Sequence, residues 1–156
     1  MSMITQSDVQ AVLEYKDGDL YWKTSGAKVG GCVNRGGYRV MGFNNKTYLV
    51  HRIIYMMFFG KLPKIVDHID NNRTNNKIEN LRSAAPAQNL WNAVLRPTNT
   101  SGSKGVSWHK KAKKWQVKVS VNCTLKHFGY FADLELADLV ATEARNKYHG
   151  QFARHA

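Results

Sequence analysis

No apolar run in this chain is longer than residues 53–59. That is far short of the roughly 20 residues needed to span a bilayer. Elsewhere, short β-branched and aromatic stretches are cut by glycine or asparagine. Asp17-Gly18 precedes Leu20-Tyr21-Trp22, Gly36-Gly37 precedes Tyr38-Arg39-Val40, and Asn44-Asn45 precedes Thr47-Tyr48-Leu49-Val50. Turn residues at this spacing predict a small antiparallel sheet in the first 63 residues. A short helix around Val9, Val12 and Leu13 comes before it. A buried helix from His51 to Phe59, stopped by Gly60 and Pro63, follows it. The fold class expected is α+β.

Residues 64–93 read as two short strands separated by a polar loop and followed by a helix. Lys64 to Ile69 forms the first strand and Ile78 to Arg82 the second. Between them, Asn71-Asn72-Arg73-Thr74-Asn75-Asn76 has the composition of an ordered loop. Pro86 opens a helix running through Gln88, Asn89 and Trp91. Residues 96–103, RPTNTSGS, read as a linker or extended arm. Three β runs then lead to a helix N-capped by Asp133, with apolar positions Leu136, Leu139, Val140 and Ala144, and stopped by Gly150.

Twenty-three Lys and Arg against 11 Asp and Glu leave a net charge of +12. Residues 1–95 contribute +5 and 96–156 contribute +7, so both halves suit a polyanionic partner. Two distant cysteines, Cys32 and Cys123, exclude a disulfide framework and a four-cysteine zinc knuckle. They read as reduced, partly buried thiols. The N-terminus lacks a signal-peptide pattern, so a cytoplasmic protein is expected, with no membrane association and no obligate protein partner.

Asp67-His68, Asn80 and Asn89 carry the chemistry. Phosphodiester hydrolysis needs an activated water and stabilisation of charge on the leaving oxygen, which a hard divalent cation supplies through oxygen ligands. Asp67 offers a carboxylate and Asn89 an amide oxygen. Between them they can hold one Mg²⁺-like ion with room for phosphate and water. His68 carries an imidazole, the side-chain type suited to accepting a proton from that water. Asn80, placed on the second strand, ties down the loop and so fixes His68. The expectation is that Asp67, His68 and Asn89 converge on one exposed cleft lined by Arg or Lys.

The pattern Val66-Asp67-His68-Ile69-Asp70-Asn71-Asn72, Asn75-Asn76-Lys77-Ile78-Glu79-Asn80-Leu81-Arg82 and Gln88-Asn89 resembles HNH nucleases of the phage and intron homing type. His51-Arg52 resembles the "HR" pair that precedes the finger in that branch. The resemblance implies a ββα-metal finger at 64–93, with Asp67 and Asn89 as metal ligands, His68 as general base and Asn80 as loop brace. Asn89 stands where other HNH nucleases have histidine, which favours a single Mg²⁺ or Mn²⁺ ion. Arg52 and Arg82 are candidates for phosphate contact.

In the last segment Trp115, Val117 and Val119 alternate with Gln116, Lys118 and Ser120. One sheet face is therefore apolar, to be covered by the final helix, while the other is basic. Lys110, Lys111, Lys113 and Lys114 form a turn suited to a phosphate backbone. Gly102-Ser103-Lys104-Gly105-Val106-Ser107-Trp108, Lys114-Trp115, Phe128-Gly129-Tyr130-Phe131, Glu135-Leu136-Ala137 and Tyr148-His149-Gly150 resemble the Apetala/ethylene-response-factor DNA-binding domain. That resemblance implies a three-stranded antiparallel sheet packed on one helix, with Lys104, Ser107, Lys118, Ser120 and His127 facing DNA.

The expected domains are a nuclease domain at 1–95, a linker at 96–103 and a DNA-binding domain at 104–156. The expected function is metal-dependent endonuclease action on double-stranded DNA. The homing-type resemblance implies 5′-phosphate and 3′-hydroxyl products. A non-catalytic DNA-binding regulator is the alternative, and an RNA-directed protein a third.

Overall fold

A computed structural model describes residues 4–122 and 124–155. By internal contacts the chain divides into two compact units, Met1–Ala85 and Pro86–Ala156. The architecture is α+β throughout, as the sequence predicts.

The first unit opens with α1 (Gln6–Val12), whose N-cap Thr5 and third helical residue Asp8 cap each other reciprocally. Strands β1 (Leu13–Lys16), β2 (Asp19–Trp22) and β3 (Lys28–Val29) form one antiparallel sheet in that order. Strands β4 (Cys32–Val33), β5 (Arg39–Phe43) and β6 (Lys46–Leu49) form another. The single sheet expected from the turn pattern is thus two. Both tight hairpins use paired positive-φ residues, Asp17-Gly18 and Asn44-Asn45, which match the twist of the strands they join. Helix α2 (Val50–Phe59) ends at a left-handed Gly60. It buries Val50, Ile53, Ile54, Tyr55, Met56 and Met57 against Val9, Leu13, Leu20, Val29 and Met41, which makes it the centre of the core.

Strand β7 (Ile65–His68) follows and pairs with β8 (Leu81–Ala84), with Asp67 opposite Arg82 and His68 opposite Leu81. Residues Ile78–Asn80 form a 3₁₀ turn, not the start of the second strand. Asn80 therefore ends a tight turn, because its side chain and backbone both fold back toward the loop.

The second unit begins with α3 (Pro86–Asn92). Strands β9 (Val106–His109), β10 (Lys114–Val121) and β11 (Thr124–Phe131) form an antiparallel sheet in the order β11-β10-β9, packed on α4 (Leu134–His149). Opposite the Val117–Lys118 step, β11 carries one extra residue, Phe128, which packs into the helix-side core. This bulge returns His127 to register with Lys118.

The helix face differs in part from the one expected: Val140 and Ala144 face the core as predicted, but Leu136 and Leu139 do not. Leu136 and Leu139 are 49% and 56% exposed, while Ala137, Ala141 and Ala144 are buried. Trp115, Phe128 and Phe131 already fill the sheet side, and small residues let α4 sit close over them. Residues 96–103 are tied in, not slack. Asn99 Oδ1 accepts from the Gly102 amide at 2.8 Å, and Ser101 Oγ donates to the Val106 carbonyl at 2.8 Å. The division between units falls at Ala85/Pro86, upstream of this segment, so α3 belongs to the second unit. Cys32 is exposed, not partly buried; Cys123 lies outside the described residues. No helix among the described residues is long and apolar enough to cross a membrane.

Candidate active site

Asp67 and His68 end β7 side by side, both buried, at 6% and 3% exposure. The exposed setting expected for this pair is not what the fold provides. Asp67 Oδ2 accepts from Arg82 Nε and pairs with Arg82 Nη2, each at 3.0 Å. This follows from strand register, since the two residues are direct cross-strand partners. Arg82, expected to face phosphate, neutralises the carboxylate instead.

His68 Nε2 bonds Asn76 Oδ1 at 2.9 Å. On another side its ring meets His51 edge-on, with centroids 4.8 Å apart, and lies 6.0 Å from Tyr38. Arg73 stacks its guanidinium over Tyr38 at 5.1 Å and donates from Nη1 to the Gly36 carbonyl at 2.7 Å.

The loop between β7 and β8 has a polar core centred on Asp70. Its carboxylate accepts from the Asn72 amide at 2.7 Å, Asn75 Nδ2 at 2.7 Å and Asn80 Nδ2 at 2.9 Å. Asn80 Oδ1 accepts the Asp70 amide at 3.1 Å, and its Nδ2 also donates to the Asn75 carbonyl at 2.8 Å. Burial of Asp70 pushes its pKa upward. The bonds from Asn75, Asn80 and the Asn72 backbone, with the charge of His68, outweigh that and hold it below the ordinary carboxylate value.

His51 was expected as half of an HR pair without an assigned role. It is 3% exposed, and its Nδ1 has no hydrogen-bond partner. Burial, then the neighbouring charges of His68 and Arg52, lower its pKa to about 3. An unfolded chain takes up this proton near pH 6.5, whereas the folded chain resists until about pH 3. Stability therefore falls as pH drops through that window. Between pH 7 and 4.5 the His51 contribution to the loss is on the order of 2 kcal/mol. Urea unfolding at both pH values should show His51→Leu losing less on acidification than the wild type. Equal acid losses in the two proteins count against a neutral buried His51.

Arg52 Nη1 donates to the Lys64 carbonyl at 3.0 Å, securing the approach to β7. Asn89 stands on α3, within the second unit. Among the described residues no three His, Cys, Asp or Glu side chains gather as a metal cluster. A hard divalent ion suits the donor chemistry singled out here, one carboxylate and one amide oxygen, better than a soft or imidazole-preferring metal does.

In the second unit, Ser107, Lys118 and His127 share the open side of the sheet and are exposed, with Ser120 half-buried on the same side. Gln116 and Tyr130 lie between them, joined by a 3.0 Å bond to the tyrosine hydroxyl. Lys110, Lys111, Lys113 and Lys114 are exposed at the β9–β10 turn. Lys104 is committed elsewhere. Its Nζ donates to the Trp91 and Ala93 carbonyls at 2.7 and 2.5 Å, and burial, with Arg145 and Arg154 nearby, lowers its pKa to about 8.

Asp67 and His68 thus form a buried pair ending one strand of a two-stranded ribbon, beside a loop braced by Asn80. Residues 48–90 match the HNH endonuclease family model, and the chain belongs to the HNH endonuclease family. Protein 3.8 of Escherichia phage T7 is 39% identical over 99 residues, covering 61% of this chain and 79% of that protein. A putative HNH homing endonuclease, YosQ, from the SPbeta prophage of Bacillus subtilis is 35% identical over 65 residues. That match covers 37% of this chain and 38% of the relative. The HNH homing endonuclease I-HmuI, in a structure concerned with DNA binding and cleavage, aligns with TM-score 0.44 and 26% identity. The alignment covers 72% of this chain and 68% of that one.

Asn76, Tyr38 and Arg73 were not singled out from sequence as parts of the site, and His51 was noted only as half of the HR pair. Asn76 looked like one of several loop asparagines. Only the folded loop distinguishes it.

Proposed function

We propose that this HNH endonuclease is a metal-dependent, homing-type enzyme that cuts double-stranded DNA and is guided by its C-terminal module. The observation that carries the reading is the adjacent Asp67–His68 pair at the end of β7, beside a loop held by Asp70 and Asn80. Asp67 and Asn89 are the oxygen ligands for one Mg²⁺ or Mn²⁺ ion, as the family resemblance implies. The bound ion supplies Lewis-acid stabilisation of charge on phosphate and leaving oxygens. His68 accepts the proton of the attacking water, and the products carry 5′-phosphate and 3′-hydroxyl ends. Arg82, bonded to its carboxylate through Nε and Nη2, orients Asp67.

The net charge of +12 and the exposed Ser107, Lys118 and His127 support a sheet that lies against DNA in the manner of Apetala/ethylene-response-factor domains. The nuclease function extends through α3 to about residue 95, and the reader comprises residues 104–156. Lysines 110, 111, 113 and 114 contact phosphates. The similarity to phage and prophage proteins fits action in a host cytoplasm.

A plasmid-library cleavage assay tests this. Cutting is expected in Mg²⁺ or Mn²⁺, is stopped by EDTA, and is lost in His68→Ala while DNA binding persists. Metal-independent cutting, or a His68→Ala variant that cuts at the wild-type rate, sinks the reading.

A further inference from the structure

Resting on the reading of His68 as general base, we infer that Asn76 is a positioning residue that selects the tautomer of His68, keeping the proton on Nε2 and the basic lone pair on Nδ1. An amide oxygen can only accept a hydrogen bond. The 2.9 Å contact between His68 Nε2 and Asn76 Oδ1 therefore requires the Nε2–H form. Both side chains are buried, Asn76 at 1% and His68 at 3% exposure, so bulk water offers Nε2 no ready substitute for this acceptor.

The position of Asn76 is itself determined by the loop. Asn80 Nδ2 donates to the carbonyl of Asn75, and the Asn76 amide donates to the Thr74 carbonyl at 3.1 Å. Asn80 thus holds the peptide immediately before Asn76, and Asn76 transmits that placement to the imidazole. The rings of His51 and Tyr38 limit rotation of His68 from other sides. Asn76 Nδ2 is buried without a partner. The opposite amide orientation would point that donor at Nε2 and force the proton onto Nδ1. The two arrangements therefore give opposite tautomers, and a spectrum tells them apart.

The test uses the full chain with ¹⁵N-labelled histidine, the His68 signals being assigned by their loss in His68→Ala. Two-bond proton–nitrogen correlations in the wild type should show the Nε2–H form. Asn76→Leu, similar in shape but without an acceptor, should lose at least about tenfold in kcat, with KM for DNA changed less than about twofold. Asn76→Asp retains an acceptor, so it should keep the Nε2–H form and most of kcat. If Asn76→Leu fails to fold, the wild-type and Asn76→Asp spectra decide the matter. An Nδ1–H wild type, or a folded Asn76→Leu with unaltered kcat, overturns the inference. Should His68→Ala be inactive while Asn76→Leu cuts normally, the base assignment survives and only the role of Asn76 is lost. A His68→Ala protein that cuts removes the base assignment itself.

Discussion

Asp67→Ala is expected to abolish cleavage and, separately, to destabilise the N-terminal unit. The activity loss follows from removing the proposed anionic metal ligand, an effect of roughly 10³-fold or more. The stability loss has another origin. The Arg82 side chain, 13% exposed, is held through Nε and Nη2 by one Asp67 oxygen. Taking away that carboxylate removes a close counter-charge from a largely buried guanidinium, which costs up to about 3–5 kcal/mol. A second change, Arg82→Met, removes the stranded charge. The double variant should recover much of the stability but none of the cleavage. Urea unfolding and plasmid cutting, measured on the same preparations, separate the two consequences. A single variant as stable as the wild type shows that the pair contributes nothing to folding. A double variant that cuts shows that Asp67 is not a ligand.

Gly105→Ala is expected to destabilise the second unit by about 2–4 kcal/mol. Gly105 sits at φ +85°, and an added Cβ would lie 2.8 Å from the backbone oxygen of Lys118. It cannot retreat easily, because its own carbonyl accepts the Lys118 amide at 2.8 Å. Strain and overlap therefore act on the backbone of the central strand. DNA affinity should fall with the unit's unfolding midpoint, while the near-ultraviolet signal of the first unit persists. Wild-type stability in this variant contradicts the close approach of the two backbones.

What the sequence disclosed and what it concealed divide along physical lines. The hairpins were legible because paired turn residues act locally, as at Asp17-Gly18 and Asn44-Asn45. The Asp67-His68 strand end and the Pro86 helix start were legible for the same reason. That the N-terminal strands form two sheets was not, since β3 and β4 are two-residue strands whose pairing is set by tertiary packing. The buried face of α4 was partly misjudged because hydrophobicity favoured Leu136 and Leu139. Val140 and Ala144 turn inward as expected, but the aromatic rings opposite select Ala137 and Ala141 in place of the two leucines. Arg82 read as a surface cation, yet register sets it against Asp67. Asn76 has the same composition signal as Asn71, Asn72 and Asn75. Its contact with His68 exists only after the loop closes on Asp70.

The clasp on α3 bears on how such proteins can be recombined. The Trp91 ring stacks on His149 at 4.3 Å with planes 5° apart, and Lys104 caps the Trp91 and Ala93 carbonyls at the end of the helix. A chimera joined at residue 95, where composition suggests a seam, would give its donor half a seven-residue helix stripped of the partners that hold it. Grafting a new targeting module onto this nuclease therefore calls for carrying Trp91, Lys104 and His149 across as one inherited block.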